Sequence, residues 1–366
     1  MKILIDDGMQ IQLGTGIGNY SLELYQNLKK YCQSTLDVDL ISFERKHKSK
    51  LLDRLEYIKY INSDEYLRKT EEYDVIHYTN YLLPFKRHEG TKYVVTIHDL
   101  VAFLYPETLN FLYRYYNQFS IKYSIKKADK ILTDSYSVKN DILKFWPKYS
   151  KKIEVIYPGI DYTNFKEKEN IKCYENINLT NEIEKKKFFL FIGTIEKRKN
   201  IDFIIDAFIK LKEMPVSANY KLVLAGRLGY GADDFIKRVK LSKFANDIIF
   251  TGYISNNDRR KLYNDAASYI FPSIYEGFGL PVIECIVYNL PLICSNIPTN
   301  NELAKEYGLF FDLKDINTLV KQMYNVIDKN YSENKLKIIA NEKLKSLNWE
   351  NNIKNYKECY IFLNNK

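Results

Sequence analysis

The chain has 366 residues, more than one hydrophobic core usually organises, so two domains are expected. Its composition, 46% hydrophobic and 28% charged, excludes a disordered chain. The net charge of +9 suits anionic partners such as nucleotides, nucleic acid or acidic lipid, without choosing among them.

In chain order, short apolar runs mark strands at KILI (2–5), VDLIS (38–42), DVIHY (74–78), YVVTI (93–97), KILT (130–133) and IEVIY (153–157). A second series follows at FFLFI (188–192), KLVLA (221–225), DIIFT (247–251), SYIFP (268–272), PLICS (291–295) and GLFF (308–311). Helical patterns separate these runs, and Gly, Pro, Asp and Asn bound them, which indicates parallel sheets covered on both faces. The polar segment 166–187 reads as a linker. The expected architecture is α/β: a doubly wound domain over 1–165, a second over 188–348, and a last helix, 349–366, returning to the first. Ligands bind such domains at strand carboxyl ends, so a cleft between them is the expected place of action.

Several segments carry chemistry. LGTGIGNYSLEL (13–24) holds Gly14, Gly16 and Gly18, but its G-x-G-x-G lacks a sixth-place glycine and a following acidic residue, so it is a poor dinucleotide fingerprint. VVTIHDL (94–100) sets His98 and Asp99 just past a strand end, and His77 in DVIHYTN ends another strand. A lone histidine is more often structural than catalytic. Gly193, Arg198 and Lys199 lie between one strand and its helix, and Arg227 follows the next strand; such cations suit a diphosphate, although most Lys and Arg are solvated loop charges.

The segment SIYEGFGLPVIECIVYNLPLICSN (273–296) is the most informative. Gly277, Phe278, Gly279 and Leu280 form a loop entering a helix, whose N-terminal amides and dipole favour a diphosphate. Glu284 then falls one turn into the helix, placed to accept hydrogen bonds from ribose, and Glu276 stays in the loop, nearer a sugar hanging from the phosphate. The bland alternative, two surface carboxylates around an ordinary turn, is disfavoured by the glycines between them and the strand before them.

This segment resembles the E-x7-E signature of the retaining GT-B glycosyltransferases, the family of bacterial mannosyl-, glucosyl- and rhamnosyltransferases. FFLFIGTIEKRKNIDFIIDAF (188–208), KLVLAGRLGY (221–230), IIFTGYISNNDRRKLYNDA (248–266) and VIYPGIDYTNF (155–165) are similar to further family segments in the same order. The resemblance implies two Rossmann-like domains facing across a cleft. It also implies a hexose moved from a nucleotide diphosphate to a glycan or polyprenyl-linked acceptor in surface polysaccharide or lipopolysaccharide synthesis. By resemblance Lys199 and Arg227 contact the phosphates, His98 and Glu276 the transferred sugar, and Gly14 and Gly16 belong to a loop over the donor. Asp99 and His77 are acceptor-side candidates. The G-T-x-E-x-R-K-N segment resembles that of mannosyltransferases using GDP-mannose. Asn289 stands where the family usually has glycine.

No metal and no cofactor is expected. Asp37 and Asp39 spell a D-x-D but open an apolar strand. The basic runs 124–130 and 148–152 come without any nucleic-acid-binding motif, so no nucleic-acid partner is expected. A sugar-nucleotide epimerase, or a non-catalytic homologue on the same fold, is the alternative. Five cysteines, scattered and never in a C-x-x-C pair, fit a reducing cytosol. The sequence offers no signal-peptide core and no uncharged run of the ~18 apolar residues a span requires. A cytoplasmic enzyme is therefore expected, with room for peripheral contact with the inner face of the membrane. There the helical stretch 110–130 mixes aromatic residues with Lys122, Lys126, Lys127 and Lys130.

Overall fold

The computed structural model describes residues 1–13, 16–47, 49–160, 174–175, 183–229 and 232–365. The chain forms two compact units, Met1–Ile160 with Ser346–Lys366, and Asp161–Lys345. Each contains a six-stranded sheet in which every pair of neighbours is parallel.

In the first unit β1 (Lys2–Asp6), β2 (Asp37–Ile41), β3 (Val75–Tyr78), β4 (Lys92–Ile97), β5 (Lys130–Thr133) and β6 (Ile153–Val155) lie in the order 2-1-3-4-5-6. Alternation along the strands feeds two cores. Leu4, Ile76, Val95 and Ile131 face one layer of helices, while Ile3, Ile5, Val75, Val94 and Leu132 face the other. The second layer includes the helix Trp349–Asn364, which sets Ile353, Tyr356 and Tyr360 on the sheet. Polar side chains stitch it down: the Tyr356 and Tyr20 hydroxyls bond each other at 3.1 Å, and Trp349 Nε1 donates to Glu23 at 2.8 Å.

In the second unit β7 (Phe188–Ile192), β8 (Lys221–Ala225), β9 (Ile248–Gly252), β10 (Ser268–Phe271), β11 (Leu292–Ser295) and β12 (Gly308–Phe311) lie in the order 9-8-7-10-11-12. Counted from the unit's first strand this is 3-2-1-4-5-6, the doubly wound order of a dinucleotide-binding domain. Phe189, Phe191, Leu222, Leu224, Ile270 and Ile293 make one core layer against the helices Ile201–Leu211 and Ile316–Ile327.

All twelve strands fall where the apolar runs place them. Most of the polar stretch read as a linker lies outside the described residues, but Tyr174, Glu175 and Lys186 are anchored on the second unit, Lys186 through its amide to the Asp265 carbonyl at 2.7 Å. Tyr174 is buried with its hydroxyl 3.0 Å from Asp265, and the Glu175 amide donates to Asp258. Cys32, Cys285, Cys294 and Cys359 are buried and unpaired. Among the described residues no helix is long and apolar enough to cross a membrane.

Candidate functional site

Strand order decides where the second unit offers a ligand a crevice. From β7 the chain winds outward through β8 and β9, then returns to place β10 on β7's other side. The connections after β7 and β10 therefore leave toward opposite faces, and a gap opens between their carboxyl ends. The sequence motifs converge there. The loop after β7 carries Arg198 and Lys199; the loop after β10 carries Glu276. Lys199 Nζ donates to Glu276 Oε1 at 2.5 Å, Arg198 Nη1 lies 3.6 Å from the same oxygen, and Arg198 Nη2 bonds Glu196 at 3.0 Å. The side chains of Glu276 and Lys199 are only 12% and 16% exposed. Burial by itself would push the Glu276 carboxyl up, but Lys199 and then Arg198 outweigh it and hold it below the usual carboxylate range.

Beside this cluster runs the loop Gly277–Gly279 into the helix Leu280–Tyr288. Gly279 caps it at φ 84°, a left-handed conformation that a residue with a side chain adopts only at a cost, so the glycine at 279 follows from the turn. Thr299 fixes the loop by donating its hydroxyl to the Glu276 carbonyl at 2.6 Å. Phe278 is buried; Leu280, at the helix start, is 41% exposed. Pro281 sits in the first turn, where its missing N–H leaves nothing unsatisfied. At the other end Asn289 adopts φ 50° and its N–H closes the helix on Cys285 and Ile286. Asparagine tolerates that conformation, which is why it stands in for the glycine usual there.

Glu284 is one turn inside the helix, as its spacing implies, but its carboxylate is not vacant. Arg259 bonds one oxygen, Tyr263 the other, and the side chain is 8% exposed. Both partners come from the helix Asn256–Asp265. A carboxylate has about four acceptor positions, so two remain for a ligand. Arg227 stands apart from the Glu276 cluster: its side chain is exposed, over the Tyr253 ring at 5.1 Å. Only its backbone joins the neighbouring loop, its carbonyl accepting from Ile195 at 2.9 Å, one rung beyond the bond from the Gly193 amide to Ala225.

The candidates of the first unit fare differently. His98 follows β4, and both of its ring nitrogens are engaged: Nδ1 with Asp134 at 2.5 Å and Nε2 with the Thr79 carbonyl at 2.7 Å. A carbonyl and a carboxylate only accept, so the ring donates twice and is an imidazolium. Burial disfavours that charge, but Asp134 outweighs it and raises the pKa above the ordinary histidine value. His77 cannot be an acceptor contact. It is 0% exposed, bonded to Tyr360 and Thr96 at 2.7 Å each, and burial, with the neighbouring His98 charge, lowers its pKa to about 3. It ties β3 to the last helix. Asp99 caps its own turn, accepting from the Val101 amide at 3.1 Å.

Gly14 lies outside the described residues. Gly16 opens the helix Gly16–Cys32, exposed, and Gly18 is buried where a Cβ would meet the Gln10 carbonyl at 2.3 Å, a packing reason for that glycine. Asp37 and Asp39 pair with Lys2 and Leu4, at the amino end of the sheet and away from the ligand end. The Asp39 carboxylate accepts from Tyr73.

No sequence motif gives Asp134, Arg259 or Tyr263 a role, although the last two lie in the family-like segment 248–266. Asp134 had a signal of its own, since L-T-D-S ends a strand as T-I-H-D does; the other two sit in an ordinary charged helix.

Two doubly wound units, one of them with a cation–carboxylate cluster and a helix N-terminus at its switch point, define a GT-B glycosyltransferase. The chain belongs to that family: residues 16–164 match the model described as Glycosyltransferase Family 4, and residues 175–344 that described as Glycosyl transferases group 1. It is 31% identical to the O-antigen chain mannosyltransferase RfbU of Salmonella typhimurium, over 65% of this chain and 60% of that one. It is 27% identical to the O-antigen chain mannosyltransferase B of Escherichia coli, over 83% and 85%. The fold matches Anabaena HepE, solved in complex with UDP and glucose, with a TM-score of 0.70 at 13% identity, covering 98% and 99% of the two chains.

Proposed function

We propose that the chain transfers a hexose, in the first instance mannose from GDP-mannose, to a glycan or lipid-linked acceptor in surface polysaccharide synthesis, with retention and without a metal. The observation that carries this reading is the meeting of Lys199, Arg198 and Glu276 beside the Gly277–Leu280 helix entrance at the switch point. The relatives' names, O-antigen mannosyltransferases, support the sugar and the setting.

The chemical task is to stabilise a departing diphosphate while the sugar carbon gains positive charge. Amides at the start of the helix Leu280–Tyr288, with Lys199, supply positive potential to the diphosphate. The exposed Arg227 is a second cation on the adjoining strand end. When phosphate enters, Lys199 turns from Glu276 toward it, leaving the carboxylate to face the developing charge on the sugar. Glu284 holds the ribose through its remaining acceptor positions. His98, whose two ring N–H groups are held by Asp134 and the Thr79 carbonyl, has no free basic nitrogen and borders the transferred sugar without acting as the base. A front-face displacement, in which the leaving phosphate takes the acceptor's proton, fits a site whose carboxylate keeps Arg198 as a partner after Lys199 turns away, and so does not stand free as a nucleophile.

Contact with an anionic membrane is part of this reading. The helix Phe111–Lys127 buries Asn117, Ser120, Ile121, Ser124 and Ile125 and still exposes four large apolar side chains, Phe111, Leu112, Tyr115 and Phe119, with Lys122 and Lys126 alongside.

Thermal-shift titration with GDP-mannose, UDP-glucose and a dTDP-sugar tests the donor: a bound ligand at one hundred times its dissociation constant stabilises by about 2.7 kcal/mol. GDP-mannose is expected to stabilise most, and transfer is expected to survive EDTA. Stabilisation by none of the three sugars overturns the transferase reading. Loss of transfer on chelation, with recovery on adding manganese, overturns the metal-free clamp.

A further inference from the structure

The first unit has a switch point of its own. With strands in the order 2-1-3-4-5-6, β1 and β3 are the pair whose connections diverge. At their carboxyl ends Gly8 and Asn80 border a cavity of about 270 Å³. Arg54, from the helix Lys50–Ile61, enters it from one side, and Tyr81, Tyr113 and Tyr116 wall it. The site of the second unit involves none of these residues, although the DVIHYTN run contains Asn80 and the aromatic stretch 110–130 contains Tyr113 and Tyr116.

Arg54 is half-buried, yet among the described residues no carboxylate lies within ion-pair distance of it. The neighbouring acids face other partners: Asp53 bonds Arg45 at 2.9 Å, Asp6 accepts from Tyr57 and Tyr66 at 2.6 and 2.5 Å, and Asp7 accepts from the Ile11 amide at 2.6 Å, its second oxygen buried without a partner. What holds Arg54 is aromatic. Its guanidinium lies 4.4 Å from the Tyr113 ring and 5.6 Å from that of Tyr116, and Nη2 donates to the Tyr113 hydroxyl at 3.3 Å. Stacked this way, the guanidinium plane is fixed while its remaining N–H groups keep no anionic partner, the arrangement that grips a carboxylate or phosphate through two parallel bonds. The amide of Asn80 is pinned too, donating to the Asp7 carbonyl at 3.2 Å and accepting from Leu82 at 2.9 Å, so the polar wall of the cavity is pre-set. Aromatic walls with a few fixed polar groups are how proteins hold a sugar-sized ligand.

We infer that this cavity binds the acceptor through an oxyanion that the acceptor carries, with Arg54 as the residue that selects an anionic acceptor over a neutral one. The assignment of the ligand as acceptor rests on the transferase reading above; the preference for an anion rests on the cavity alone. The oxyanion is either a sugar-linked phosphate or the carboxylate of an acidic sugar.

The test measures binding of glucose 1-phosphate, glucuronic acid and methyl glucoside to the whole chain by calorimetry or ligand-observed NMR. Four proteins are compared: wild type, Arg54→Met, Lys199→Ala and Tyr113→Phe, which keeps the ring and is a milder second probe of the Arg54 setting. Circular dichroism and thermal unfolding confirm that the variants fold. The expected result is an affinity for at least one anionic probe tenfold or more above that for methyl glucoside, lost in Arg54→Met, reduced in Tyr113→Phe and kept in Lys199→Ala. A preference for glucose 1-phosphate identifies phosphate as the source, and one for glucuronic acid an acidic sugar. Equal binding of charged and neutral probes, or an anion preference that survives Arg54→Met, overturns the inference. A preference that disappears in Lys199→Ala instead assigns the anion to the second unit and also overturns it. Failure of the transferase reading is seen separately, as absence of nucleotide-sugar binding in the wild type.

Discussion

Replacing Lys199 by alanine isolates the electrostatics on which the second unit's site depends. Glu276 and Lys199 are 12% and 16% exposed, so the carboxylate has given up most of its water, and the substitution returns none of it. At an effective dielectric of about 20, a contact at 2.5 Å is worth roughly 6–7 kcal/mol and the Arg198 contact at 3.6 Å roughly 4–5. Lys199→Ala thus removes more than half of the compensating attraction. Breaking a buried pair outright costs 3–5 kcal/mol. With Arg198 still in place, the expected loss at pH 7 is about 2–3 kcal/mol. It has a pH signature. Glu276 is held below its ordinary pKa, so the stability it contributes is present above that ordinary value and is lost as pH falls through the folded one. The penalty of Lys199→Ala is therefore full at neutral pH and shrinks in acid. Urea unfolding followed by far-UV circular dichroism reads it. Trp146 and Trp349, the chain's two tryptophans, both lie in the first unit, so their fluorescence is an internal reference. Lys199→Ala as stable as wild type at pH 7, or losses for Lys199→Ala and Glu276→Gln that simply add, would refute the reasoning, because partners in one pair must couple.

Glu284→Ala is expected to weaken GDP binding by roughly 1.5–3 kcal/mol in calorimetry, the worth of hydrogen bonds to a charged acceptor; unchanged affinity in a folded variant removes Glu284 from the ribose. The His98–Asp134 pair, whose histidine pKa is raised, contributes stability that is full below the ordinary histidine value and lost as pH rises through the folded one. Asp134→Asn should flatten that alkaline decline in the tryptophan-detected transition, and an unaltered slope would count against it. Phosphatidylglycerol vesicles should co-sediment the chain at low salt and release it at high salt, with Phe119→Ser weakening capture; no capture at low salt rules out the lipid contact.

The strands were legible because a parallel sheet buried on both faces needs continuous apolar runs, and FFLFI and KLVLA have no other use. The loop motifs were legible for the same local reason: Gly279 must be left-handed, and Lys199 and Glu276 each sit just past a strand. That they meet was not written in either segment. It follows from β10 pairing with β7, a fact of sheet order that brings together Lys199 and Glu276, 77 residues apart in sequence. His98 and His77 show where local reading ends. Both follow the same pattern, a histidine at a strand end, and only the folded structure distinguishes a ring held by Asp134 and still 13% exposed from one sealed under Tyr360. Arg54 gave no signal at all, since KLLDRLEYIKYI is an unremarked amphipathic helix until Tyr113 and Tyr116 close over it.

The last helix of the first unit has a consequence for how the protein comes off the ribosome. Ile160 bonds Leu347 and Gly159 abuts Trp349, so the two pieces of that unit are joined edge to edge, but synthesis separates them by the whole of Asp161–Lys345. At about 5–20 residues per second the gap lasts on the order of 10–40 s. Throughout it the apolar face of Ile3, Ile5, Val75 and Val94 has no Ile353, Tyr356 or Tyr360 to cover it, and His77 lacks the hydroxyl of Tyr360. The second unit, continuous in sequence, has all its strands before the first unit has its last helix. The half of the protein made first is the half finished last, and nascent chains stalled before residue 346 are the ones expected to need a chaperone.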